Sequence, residues 1–124
     1  MKNKDNNIIA AKSYAFGVRC VKLRYFLINE KREYDLSKQL LRSGTSIGAN
    51  VKEALRGQSK PDFKSKMNIS LKEASESEFW IELLRDTGYI DEIEAKSLLD
   101  DCIELIKILT KIVKTVNDTL ETEL

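Results

Sequence analysis

The sequence predicts an all-α protein folded as a single antiparallel four-helix bundle, and three observations lead there. Apolar residues recur at three- and four-residue spacing over four long stretches, the one proline and two of the five glycines, Gly57 and Gly88, fall between or at the edges of those stretches, and the connectors are short. Short connectors between long amphipathic helices force neighbours to run in opposite directions, giving an up-down-up-down order. With 124 residues, 42% hydrophobic and 33% charged, the chain can bury a core as one domain spanning residues 1–124 without disulfides or metal.

The first helix is expected over about residues 7–31. It carries two apolar lines on well-separated sides of the cylinder: Phe16, Cys20, Leu23 and Leu27 on one, and Tyr14, Val18, Val21, Tyr25 and Ile28 on the other. A helix in a bundle core needs only one such face, so the second is a candidate oligomer interface. Lys12, Arg19 and Lys22 lie between the two lines.

A charged connector follows, in which Asp35 or Ser37 is expected to cap a second helix over about residues 36–56. Its broad apolar and small face joins the line Leu36, Leu40, Ser43, Ile47, Asn50 and Ala54 to the line Leu41, Gly44, Gly48, Val51 and Leu55, while Lys38, Arg42, Lys52 and Arg56 occupy the opposite side. Gly44 and Gly48 each cost a helix interior about 1 kcal/mol relative to alanine, which close approach of a neighbouring helix would offset; a break in the helix there is the alternative.

Gly57 ends this helix, and Ser59, Pro61 and Asp62 open a third over about residues 61–86 through a capping-box-like pair with proline in the first turn. Its face runs through Phe63, Met67, Ser70, Leu71, Ala74, Ser77, Ile81 and Leu84, with Ile69, Phe79, Trp80 and Leu83 off that face beside Glu73 and Glu76. Thr87-Gly88 closes it, and a fourth helix over about residues 91–120 presents one stripe from Leu98 to Val116.

The absence of histidine removes Ser/His/Asp and Cys/His catalysis and histidine-bearing metal sites. Glu73, Glu76 and Glu78 lack the Glu-x-x-His pairs of a di-iron bundle, and Gly44-Thr45-Ser46-Ile47-Gly48 has no Gly-Lys-Ser/Thr to make a phosphate loop. No catalytic residue, cofactor or metal is therefore assigned, and a non-enzyme is expected. Cys20 and Cys102 sit on apolar positions and read as buried thiols. No stretch has the roughly 20 apolar residues of a membrane span and no signal region follows the N-terminus, so a cytoplasmic location without membrane contact is expected.

Charge is divided along the chain. Residues 1–66 hold 15 Lys/Arg against 6 Asp/Glu, and residues 67–124 hold 6 against 14. The basic half suits a phosphate backbone, or equally the acidic half of the same or a neighbouring subunit. Lys12, Arg19, Lys22, Lys38, Arg42, Lys52 and Arg56 are the candidate nucleic-acid contacts.

The run from Arg42 to Ala54, with Gln58 to Phe63, Lys72 to Glu76, Phe79 to Leu84 and Gly88-Tyr89-Ile90, resembles the bacterial four-helix-bundle family named for proteins encoded in 23S ribosomal RNA intervening sequences. That resemblance implies a homopentameric ring and no established catalytic residue. A related branch, the accessory variability determinant of diversity-generating retroelements, is a strongly basic pentamer that binds nucleic acid and a reverse transcriptase, whereas this chain carries a net charge of only +1. Ser46, Asn50, Glu53 and Glu73 match the family pattern, and with Gly44 and Gly48 they are expected to form a helix-packing and polar network between helices or subunits. The resulting expectation is a ring-forming accessory protein that binds RNA, DNA or a nucleoprotein, with a protein-interaction scaffold as the alternative.

Overall fold

Four α-helices follow one another in the computed structural model, which describes residues 4–123, with side chains described as far as Asp118. They are α1 (Lys4–Lys31), α2 (Asp35–Leu55), α3 (Lys60–Asp86) and α4 (Glu92–Glu123), and no strand occurs among the described residues. Each helix packs on its neighbour in chain order, and α1 closes the bundle on α4, the less extensive of its two interfaces. The helices start within three residues of the expected positions; α4 runs three residues past its expected end.

The core is built from the predicted period. Ile9, Phe16, Cys20 and Leu27 of α1 meet Leu40, Ile47 and Val51 of α2, Met67, Ala74, Ile81 and Leu84 of α3, and Leu98, Cys102, Leu105 and Leu109 of α4, all buried. Of the two apolar lines of α1, the Phe16 line is therefore the inner one. Tyr14 and Tyr25 remain 75% and 63% exposed, Val18 is exposed, and Val21 and Ile28 are half-buried.

The rotation of α1 is set by Gly44 and Gly48 of α2. A Cβ on Gly44 would lie 2.3 Å from Cys20 Sγ and 3.2 Å from its Cβ, and one on Gly48 would lie 3.3 Å from the Ser13 carbonyl oxygen. Gly17 returns the fit from α1, its Cβ position 3.9 Å from the Thr45 Cα. Small residues on both helices let the two backbones approach, and the dispersion gained along the interface offsets the helix-propensity cost of the glycines.

Buried polar links then tie α3 to its neighbours. Ser43 Oγ and Ser77 Oγ share a hydrogen bond of 2.8 Å, and Ser70 Oγ donates to the Ile47 carbonyl at 2.9 Å. Within α3, Ser77 Oγ also reaches the Glu73 carbonyl at 2.9 Å. The Cys102 thiol of α4 donates to the Ala74 carbonyl at 3.2 Å. A satisfied buried hydroxyl adds only about 1 kcal/mol, but leaving its partner alone costs about 1–3 kcal/mol, so these links favour one register of α2 against α3.

The connectors correct one expectation. Neither Asp35 nor Ser37 caps α2: the buried Glu33 carboxylate accepts from the Asp35, Leu36 and Ser37 backbone N–H groups at 3.1, 2.9 and 2.7 Å. A carboxylate beats a hydroxyl there because it answers three orphan donors and the positive end of the helix dipole together. Arg32, with φ of 54°, turns the chain to place it. At α3, Ser59 Oγ accepts from the Asp62 N–H at 3.2 Å as expected. Gly88, with φ of 82°, ends α3, donating its N–H to the Arg85 carbonyl while the Tyr89 N–H reaches the Leu84 carbonyl.

Gly44→Ala is expected to destabilise the fold by about 1–3 kcal/mol despite the better helix propensity of alanine. Cys20→Ala should recover part of that loss, with a coupling of about 0.5 kcal/mol or more in a denaturant-melt double-mutant cycle. A Gly44→Ala protein as stable as wild type would show that the interface has slack.

Candidate nucleic-acid interface

The seven candidate cations divide into two groups. Arg19, on the side of α1 facing α4, donates from Nη1 to Asp101 at 2.7 Å and from Nη2 to Glu94 at 3.0 Å, and Lys12 pairs with Glu104 at 3.2 Å. Lys111 of α4 completes this seam with Asp5 at 3.1 Å. Arg42 reaches from α2 to α3, pairing with Glu73 at 3.3 Å and with Glu76. Of the two partners the sequence left open for the basic half, Lys12, Arg19 and Arg42 meet the acidic half of the same chain, because the helix rotations bring opposite charges onto adjoining edges.

Lys22, Lys38, Lys52 and Arg56 are exposed and have no carboxylate within 4 Å among the described residues. Lys38, Lys52 and Arg56 lie along the outer side of α2, away from its buried Leu40–Val51 line. Lys52 and Arg56 border an open depression of about 720 Å³ at the α2–α3 corner, where Lys66 already pairs with Glu53 at 3.0 Å. Lys22 stands apart on α1, so the seven do not form one surface.

The residues of the expected polar network separate in the same way. Glu53 and Glu73 do join α2 to α3, through Lys66 and Arg42. Ser46 Oγ donates to the Arg42 carbonyl at 2.7 Å and Asn50 Nδ2 to the Ser46 carbonyl at 2.8 Å, both within α2. The buried cross-helix bonds come instead from Ser43, Ser70 and Ser77, whose signal in the sequence was small polar residues at core spacing.

Glu76 has a further partner. Trp80, the single tryptophan of the chain, donates Nε1–H to it at 3.1 Å and stacks edge-on against the half-exposed Phe79 with ring centroids 5.0 Å apart. The Trp80 hydrogen bond, with that of Arg42, holds the Glu76 carboxyl below its usual range. Desolvation raises both Cys20 and Cys102 to about 12, so neither thiol ionises near neutrality.

A depressed carboxyl value stabilises the fold above the unfolded pKa, and that contribution is lost as pH falls through the folded one. Glu76→Gln keeps an acceptor for Trp80 but not the charge. The stability gap between wild type and Glu76→Gln, read by Trp80 fluorescence, should accordingly shrink between about pH 6 and pH 3. Parallel curves over that window would show that the charge is not held by the fold.

Known proteins are similar to this arrangement over most of its length. Residues 5–111 match the sequence profile of the family described as 23S rRNA-intervening sequence protein. A crystal structure of a protein of unknown function from the S23 ribosomal protein family of Bacteroides thetaiotaomicron VPI-5482 superposes with a TM-score of 0.87 at 50% identity, covering 89% of this chain and 98% of that one. No curated protein matches it. None of the helices among the described residues is long and apolar enough to cross a membrane. With the profile spanning all but the ends of the chain, and a half-identical relative sharing the four-helix architecture, the chain belongs to the 23S rRNA-intervening sequence protein family.

Proposed function

We propose that this protein is a non-enzymatic, cytoplasmic accessory protein, an antiparallel bundle assembling into a closed ring of identical subunits, five by family resemblance, that binds nucleic acid or a nucleoprotein through the outer face of α2. The observation that carries the binding surface is the row Lys38, Lys52 and Arg56, three exposed cations with no carboxylate partner among the described residues, in a fold that neutralises Lys12, Arg19 and Arg42. Cations kept apart from available carboxylates can meet phosphate without first breaking an ion pair. The family name refers to an intervening sequence of 23S rRNA, which makes structured RNA the first probe.

Assembly is supported by the outer stripe of α1. Tyr14, Val18 and Tyr25 remain exposed after the core is complete, an apolar surface that a second subunit would cover. The antiparallel reading is supported by the order of the cross-helix pairs: Asp5, Lys12 and Arg19 meet Lys111, Glu104 and Asp101, and Ser43, Ile47 and Glu53 meet Ser77, Ser70 and Lys66. The non-enzymatic reading is supported by the lack of histidine and by two sealed thiols.

A scaffold without nucleic-acid binding is the second reading. The pairs made by Lys12, Arg19 and Arg42 favour it, since they show part of the basic half used within the chain. Light scattering at tens of micromolar should give a mass several times the 14.2 kDa of one chain; a monomer would overturn the assembly. Replacing Lys52 and Arg56 by glutamine should leave that assembly intact and flatten the slope of log affinity against log salt for structured RNA by about one unit for each phosphate that is no longer neutralised. An unchanged slope would transfer support to the scaffold.

A further inference from the structure

A second depression lies at the opposite end of the bundle from the α2–α3 corner, where the last turns of α1 face the α3–α4 connector. It is a cleft of about 810 Å³, within the size range of small-ligand sites. Its walls differ in charge. Lys22 and Lys31 stand on the α1 side, and Asp91 and Glu92 on the side where α4 begins. Arg19 and Glu94 also border it but satisfy each other at 3.0 Å. Asp91 Oδ1 is occupied by the Glu94 N–H at 2.8 Å, which leaves its second oxygen, while Glu92 makes no hydrogen bond or ion pair among the described residues. Each wall also carries an aromatic ring: Phe26, 44% exposed, on α1, and Tyr89, half-buried, on the connector.

The geometry points to a binding site for one unpaired, amino-bearing nucleotide of single-stranded RNA, its base on Phe26, its phosphate toward Lys22, one turn from Phe26 on α1, and its exocyclic amine toward Asp91 and Glu92. The two walls together disfavour a ligand that carries charge of one sign only. Phosphate alone, or an acidic peptide, would meet a carboxylate wall as well as the lysines. A cationic ligand would meet the lysines. A nucleotide has an anionic end, a flat apolar middle and, in cytosine, adenine or guanine, an amine at the far edge that donates to carboxylate. The exposed Phe26 ring supplies the stacking surface, and a duplex, whose bases are already stacked and paired, cannot use it.

This inference rests on the nucleic-acid reading of the protein but uses a surface remote in sequence from Lys52 and Arg56, so the two can fail separately. The test is a titration of the full chain with hexamers of cytidylate and uridylate RNA, followed by NMR or fluorescence anisotropy. Oligocytidylate should bind on the order of fivefold or more tightly than oligouridylate, and Phe26→Ala should weaken oligocytidylate by a similar factor, the loss of one stacked base. Phe26 is exposed enough for that variant to keep its fold, which an unchanged melting temperature will show. The Lys52→Gln, Arg56→Gln protein should retain the cytidylate preference even where its binding to long structured RNA is weakened. Equal binding of the two hexamers, binding of neither, or wild-type cytidylate affinity in Phe26→Ala would each overturn the assignment.

Discussion

The close packing of α1 on α2 is the constraint on which the other features depend. Gly44 and Gly48 leave no room for a side chain against α1, so Cys20 and Ser13 can sit where side chains of α2 would otherwise be. That fixes the rotation of α1 about its own axis. Once Phe16 and Cys20 face inward, the 100° step of the helix sends Tyr14, Val18 and Tyr25 outward and turns Lys12 and Arg19 toward α4. Core, outer stripe and ion-paired seam are three consequences of one packing choice.

The seam between α1 and α4 shows how the molecule handles its divided charge. Arg19 spans two carboxylates seven residues apart on α4, Asp101 and Glu94, and Lys12 and Lys111 add pairs to Glu104 and Asp5. Pairs this exposed contribute about 0–1 kcal/mol each, so they do not hold the bundle together. Their effect is on specificity: they favour α1 lying against α4 in one register and remove three cations from the surface that can meet another molecule. Among the cations left outside such pairs are those on the outer side of α2 and near the end of α1, where Lys22 and Lys31 border a cleft with an exposed aromatic ring.

Buried hydroxyls play the corresponding role between α2 and α3. Ser43, Ser70 and Ser77 take positions that would otherwise carry alanine or leucine, and each finds a partner across the interface or on the helix backbone. Small side chains at these places bring the helices close, and the bonds penalise a one-turn slip that leucine packing alone would tolerate. The Arg42–Glu73–Glu76–Trp80 group lies on the same side of the pair and extends the constraint to the surface.

Periodicity alone was enough for the helices, their order and most of the core, because burial of a 3.6-residue stripe is a local property that the spacing of Leu40, Ile47 and Val51 or of Leu98, Cys102 and Leu105 already expresses. The Ser59 cap and the Gly88 stop were local in the same sense. Which face of α1 turns inward was not, since the Phe16 and Tyr14 lines are both apolar and only the fit of Gly44 against Cys20 separates them. Nor was the fate of the cations: Lys12, Arg19 and Arg42 look no different in sequence from Lys38, Lys52 and Arg56, and the difference is whether a carboxylate 31 to 92 residues away is carried to within 4 Å. Charge pairing and helix rotation are relations between elements, and they acquire values only when the helices pack.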